Sequence, residues 1–109
     1  MPMKGDHLGE LEELVLLAVR AQHDDAYGVT VQQTIEANAS RRVTLGAVCS
    51  ALERLERKGY LHSRIGDSQA RQGGRRKRLF QLSDTGSDVL GRAHDARAAL
   101  WNLAERGDV

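Results

Sequence analysis

Apolar and polar positions divide the chain into five stretches with different periods. Residues 8–21, LGELEELVLLAVRA, set Leu8, Leu11, Val15 and Ala18 on one helical stripe, with Leu14, Leu17 and Ala21 beside it. So wide an apolar arc suits a helix that meets its own core on one side and a second chain on the other, or one that is deeply buried. The next stretch, HDDAYGVTVQQTIEANAS, repeats more weakly through Val29, Val31 or Gln32, and Ile35. It predicts a second helix capped by Asp24 or Asp25 and running to about Asn38. Ser40, Arg41 and Arg42 read as a loop, and Val43 as part of a very short strand.

Residues 44–58, TLGAVCSALERLERK, give the clearest pattern. Leu45, Val48, Leu52 and Leu55 recur at three and four residues, Thr44 stands where a cap belongs, and Gly59 where a helix ends. At 100° per residue the opposite face carries Gly46, Ala47, Ser50, Arg54 and Arg57. YLHSRI (60–65) then alternates as a strand, GDSQARQGG (66–74) is a Gly-rich turn, and RRKRLFQL (75–82) is a returning strand with Phe80 and Leu82 on one face. These two strands make a hairpin with a loop longer than the tight two-residue type. The last stretch begins at a cap, Ser83 or Asp84, and is helical to about Glu105. Val89, Ala93, Ala96, Leu100 and Leu103 form a seam of fewer than three heptads, which points to helix pairing. Gly86 and Gly91 weaken its first turns.

The predicted fold is mainly α with a small β-hairpin. Three helices followed by a two-stranded hairpin is the winged helix-turn-helix order. Residues 1–83 are expected to form that domain and residues 84–109 a long C-terminal dimerisation helix.

Charge sharpens this picture. The net charge of +1 conceals a strong division. Residues 1–40 hold two basic and seven acidic groups, residues 41–80 eleven basic and three acidic, and residues 81–109 three basic and five acidic. A basic middle between acidic ends fits a surface for a polyanion. Basic side chains that neutralise phosphates release counterions, and that release drives sequence-independent affinity for a duplex. In this arrangement the third helix enters the major groove by its N-terminal half, where base edges are within reach. Gly46 and Ala47 are small enough for close approach, Thr44 and Ser50 offer hydroxyls, and Arg54 reaches toward phosphate. Arg75, Arg76, Lys77 and Arg78 alternate around the returning strand, so two of them, with Arg71, are expected to face the DNA backbone or a minor groove. Basic charge on an edge strand also blocks sheet aggregation, which is the competing role for Arg76 and Arg78. Arg57 and Lys58 complement the helix dipole.

Four blocks in order, LGELEELVLLAV, DDAYGVTV, LGAVCSALERLERKGYL and GGRRKRLFQLSDTG, resemble the PadR-like transcriptional regulators over roughly residues 8–90. The resemblance implies a dimeric winged-helix repressor acting on its own or a neighbouring promoter, with the third helix as recognition helix and the hairpin as wing. It implies a dimer built by the first and last helices, through Leu11, Leu14, Val89, Ala93, Ala96, Leu100 and Leu103. The single C-terminal helix matches the smaller size class of that family. Some members respond to phenolic acids or hydrophobic drugs. Trp101, the only tryptophan, is the candidate contact for a small aromatic effector, and packing across a dimer is its simpler role. Tyr27 and Gly28 match the family's pair at the start of the second helix, where the tyrosine packs as a staple and the glycine lets helices approach. Cys49 stands where the family usually has tyrosine. At the edge of the apolar stripe it is expected to be a buried, inert thiol.

Other functions find little support. One cysteine excludes an internal disulfide and suits a cytoplasmic protein. The opening MPMKGDHLGE has no apolar signal core, and the run Leu14–Val19 is too short to span a bilayer. His7, His23, His62 and His94 form no ligand spacing with Cys49, so no metal or cofactor is expected. Nucleotide-binding and nucleophile motifs are absent. The remaining alternative is a winged-helix module that binds protein or RNA without specific DNA binding. A two-fold dimer on double-stranded DNA should instead prefer an inverted-repeat operator with half-sites about one helical turn apart.

Overall fold

A computed structural model describes residues 8–66 and 76–107. In chain order these form α1 (Glu10–Gln22), a 3-10 turn (His23–Asp25), α2 (Gly28–Asn38), α3 (Leu45–Arg57), β1 (Leu61–Ile65), β2 (Arg78–Leu82) and α4 (Asp84–Arg106). The strands pair antiparallel, with Leu61 opposite Leu82 and Ile65 opposite Arg78. Four helices and one hairpin are the winged-helix architecture that the order of elements predicts.

Helices α1, α2 and α3 pack around one core that includes Val15, Leu16, Val31, Val48, Leu52 and Leu55, each almost wholly buried. The hairpin closes it with Leu61 and Phe80, and the first turns of α4 add Val89 and Leu90. The buried side of α1 runs through Glu12, Val15, Leu16, Ala18 and Val19, which includes Val15 and Ala18 of the predicted stripe. The buried face is rotated from the centre of that stripe toward Leu16 and Val19, with Leu8 and Leu11 at its edge, and Leu17 is exposed. An acidic residue on the buried face and leucines on most other faces disguise the phase.

Local chemistry sets the helix ends. Gly9 precedes α1, and its amide donates to the Glu12 carboxylate at 2.9 Å. The predicted caps of α2, Asp24 and Asp25, lie instead in the 3-10 turn. Tyr27 caps α2, its amide donating to the Thr30 hydroxyl at 3.0 Å. Val43 is buried but belongs to neither strand. Its backbone is satisfied by side chains of α2 instead of a ladder: its amide donates to Glu36 at 3.0 Å, and its carbonyl accepts from Gln32 at 2.9 Å. Beside β2, the segment before α2 supplies one bridge, the Phe80 amide donating to the Ala26 carbonyl at 2.8 Å. That bridge gives part of the strand's outer edge a partner.

The hairpin is anchored where its two ends meet. The Tyr60 amide donates to the Leu55 carbonyl at 2.9 Å, and the Tyr60 carbonyl accepts from the Ser83 amide at 3.0 Å. The Ser83 hydroxyl caps α4 by accepting from the Gly86 amide at 2.9 Å, and donates to the Gly59 carbonyl at 2.6 Å. Gly59 adopts φ +83°, the left-handed conformation that ends α3. Gly86 presses against the same turn, where an added Cβ would stand 2.0 Å from the Tyr60 carbonyl oxygen.

From Gly91 onward α4 carries no buried residue. Arg97 ties it to α1 through a two-pronged contact, with Nε and one terminal nitrogen each 2.8 Å from a Glu13 carboxylate oxygen. Leu100 and Trp101 beyond it are each 68% exposed.

The two glycines of α4 should respond oppositely to alanine. Within a helix the change ordinarily stabilises by about 1 kcal/mol. Gly91→Ala, whose Cβ meets nothing within 4 Å, should follow that rule. Gly86→Ala must displace backbone and should destabilise by about 2 kcal/mol or more. Denaturant unfolding of both variants at one protein concentration checks the pair, and equal shifts would refute the close approach.

Candidate nucleic-acid interface

Thr44 starts α3 by accepting from the Ala47 amide at 3.0 Å, which leaves its hydroxyl proton for another partner. With Val48, Ala51, Leu52 and Leu55 buried, the side facing solvent is Gly46, Ser50, Glu53 and Arg57. Ala47 is half-buried at its edge. Leu45, expected in the core stripe, is 40% exposed at the tip of the helix. Cys49 is exposed, contrary to the expectation of a buried thiol. It lies at the seam with α2, where a Cβ on Gly28 would come within 3.0 Å of its Sγ. Gly28 therefore does allow the two helices to close.

Strand β2 runs beside this face. Cys49, Glu53 and Arg57 from α3 line one open cleft together with Tyr27, Lys77 and Arg78. The basic residues of the hairpin differ in what they have left to offer. Arg76 is exposed and, among the described residues, meets no partner. Lys77 is half-buried, with its ammonium 3.2 Å from the Tyr27 hydroxyl oxygen and 4.4 Å from the centre of the ring. A cation over an aromatic face is attracted to it, so Tyr27 holds the wing to the start of α2. Arg78 donates to the Ser63 hydroxyl at 3.2 Å and lies 3.6 Å from the Glu56 carboxylate. Arg71 and Arg75 lie outside the described residues.

Arg54 turns away from the centre of the outward face toward α1. Its Nε is 3.5 Å from Glu12, and Lys58 approaches the same carboxylate at 2.9 Å. Lys58 thus serves as an anchor between helices, beyond complementing the dipole of α3. Burial alone pushes the Glu12 carboxyl up. The Gly9 amide, Lys58 and Arg54 outweigh burial and hold it below its ordinary 4.5. Arg41 is likewise paired, with Glu10 on α1, while Arg42 and Arg64 are exposed.

Sequence reasoning missed Glu53. It lies at 80° on a wheel started at Leu45, close to the middle of the outward arc, and the wheel alone could have found it. No periodicity marks Glu12, because its partners on α3 lie more than forty residues away.

On the C-terminal seam, Val89 is 6% exposed within the chain's own core and offers a partner little surface. Ala93 and Leu103 are half-buried, while Ala96 and Leu100 are exposed. Leu11 and Leu14 are half-buried against the core. No helix among the described residues is long and apolar enough to cross a membrane. Among the same residues, no group of three or more His, Cys, Asp or Glu side chains could hold a metal ion.

Residues 15–92 match the model of the transcriptional regulator PadR-like family. The chain belongs to that family. A PadR family transcription regulator from Clostridium difficile R20291 is similar at 21% identity and a TM-score of 0.75, over 93% of this chain and all of that one. The smu.1704 protein of Streptococcus mutans UA159 is similar at 25% identity and a TM-score of 0.67, over 98% of this chain and 90% of that one. A PadR-like transcriptional regulator from Bacillus cereus is similar in fold at 16% identity and a TM-score of 0.71, over 88% of each chain. No curated protein sequence matches the chain.

The Glu12 cluster has a pH signature. A carboxyl whose folded pKa lies below its unfolded one stabilises fully above the unfolded value and loses that contribution as pH falls through the folded one. Glu12→Gln should therefore cost about 1.5–3 kcal/mol at pH 7, the worth of hydrogen bonds to a charged group. The gap to wild type should narrow as pH drops below 4.5. Denaturant unfolding across pH checks this, and a gap independent of pH would refute it.

Proposed function

We propose that this PadR-like regulator is a homodimeric, sequence-specific DNA-binding repressor acting on its own or a neighbouring promoter. One observation carries the reading: the open face of α3, where Gly46 and Ser50 leave room for a groove, shares a cleft through Glu53 and Arg57 with Lys77 and Arg78 of the hairpin, and exposed Arg76 directly precedes that pair. Small residues permit close approach and the wing supplies charge, so base contact and phosphate contact fall on one side of the molecule. Residues 1–83 would bind double-stranded DNA and α4 would pair with its copy. Leu11, Leu14, Ala93, Ala96, Leu100 and Leu103 would line that interface. Support for pairing comes from Leu100 and Trp101, which stand exposed on a helix stretch without a core of its own. Such a stretch gains most of its stability from packing against something else. A small aromatic effector stacking on Trp101 would compete with this packing and relieve repression.

The deciding measurement is anisotropy with the DNA upstream of the gene and a scrambled duplex, over a salt series. The native duplex should bind more tightly, with affinity falling steeply as salt rises. Arg76→Ala should weaken both duplexes alike and reduce the salt slope by about one. No binding to either duplex at low salt would overturn the reading in favour of a protein-binding winged helix.

A further inference from the structure

The charged side chains of α3 and of Lys58, which caps its C-terminal end, fall into two groups according to their partners. Arg54 and Lys58 are held by Glu12 on α1. Glu56 is held by the hairpin, where it accepts from the Ser63 hydroxyl at 2.7 Å and faces Arg78. Glu53 and Arg57 are exposed and, among the described residues, have no such partner. Glu53 sits at the middle of the outward face, one turn beyond Ser50 and one turn before Arg57.

A solvated carboxylate is ordinary on most helix faces. This face is different, because Glu53 lines the same cleft as Lys77 and Arg78. A phosphate drawn there would meet a like charge in Glu53. Backbone contact therefore gains nothing from the residue, whereas base contact can. An ionised carboxylate only accepts hydrogen bonds. In the major groove the amino groups of cytosine and adenine are the donors. Adenine sets its N7 acceptor beside that donor, facing a carboxylate with repulsion, while cytosine presents its amino group without an acceptor of its own. Gly46 and Ser50, on the preceding turns, leave space for the base edge.

We infer that Glu53 is a specificity-determining residue of the operator contact, accepting a hydrogen bond from a cytosine amino group in the major groove. The inference rests on the DNA-binding reading above.

Selection of duplexes from a random library by wild type, Glu53→Ala and Glu53→Gln separates the two. Wild type should favour cytosine at one position of each half-site by about tenfold, within the range of a good base contact. Glu53→Ala should keep the rest of the motif, lose that preference, and bind non-specific duplex more tightly because a like charge is gone. Glu53→Gln should shift the position toward adenine, whose N6 and N7 match an amide's acceptor and donor. Because Glu53 is exposed, all three proteins should give the same thermal unfolding curve. If both variants select the wild-type base at every position, the inference is overturned and the regulator reading stands. If wild type itself selects no sequence, that reading falls and the inference falls with it.

Discussion

The turn at Gly59–Tyr60 is the point on which the wing depends. Four elements converge there: the end of α3, the start of β1, the end of β2 and the start of α4. The Tyr60 carbonyl accepts from Ser83, the Ser83 hydroxyl ties Gly59 to the amide of Gly86, and Gly86 leaves no room for a side chain. A two-stranded hairpin alone is marginal in water. This one is closed at its base by the turn, seated on the core through Leu61 and Phe80, and bridged on its far edge by Ala26. Its position relative to α3 then follows from Glu56, which engages both strands through Ser63 and Arg78. A reading helix and a wing, the roles proposed for α3 and the hairpin, can act on one duplex only if their separation is constrained, and these contacts constrain it.

Charge in the basic middle of the chain is divided between holding the fold and facing outward. Arg41, Arg54 and Lys58 reach back to the acidic start of α1, Lys77 sits against Tyr27, and Arg78 faces Glu56. The acidic first segment and basic middle segment are thus partly each other's counterions. A count of basic residues overstates the positive charge available to a polyanion. Among the described residues, what remains for one is Arg42, Arg57, Arg64 and Arg76, all exposed.

This division also explains what could be read from the sequence. The order of elements, the extent of α3 with its Thr44 cap and Gly59 end, the two paired strands, and Ser83 as one of two candidate caps of α4 were legible because they rest on local signals: periodicity, a hydroxyl at a helix start, a glycine at a helix end. The face of α1 was not, because its buried side includes Glu12, whose partners lie far along the chain. Val43 gave a strand signal that side chains of α2 override. Cys49 sits at the edge of an apolar stripe, and edge positions are decided by the neighbouring helix, here by how closely Gly28 lets α2 approach. The site was legible as a face and a strand. It was not legible as a set of free and committed charges, which only the pairing contacts distinguish.

Helix α1 links the two halves of the proposed function. Its first turns hold α4 through Glu13 and Arg97, and its buried carboxylate Glu12 holds the C-terminal half of α3 through Arg54 and Lys58. In the proposed dimer, the surface of α1 and α4 that meets the second copy is joined to the reading helix through neighbouring carboxylates on one helix. Rotating α4 against α1 would load Glu13, and through α1 would tilt the frame on which α3 is pinned. Half-site spacing is a geometric property of how two reading helices are held apart. The proposed effector at Trp101 would then act on the proposed DNA face without touching it. It would do so by changing the angle at which α4 leaves α1, since a close-packed interior such as that between α1 and α3 transmits strain.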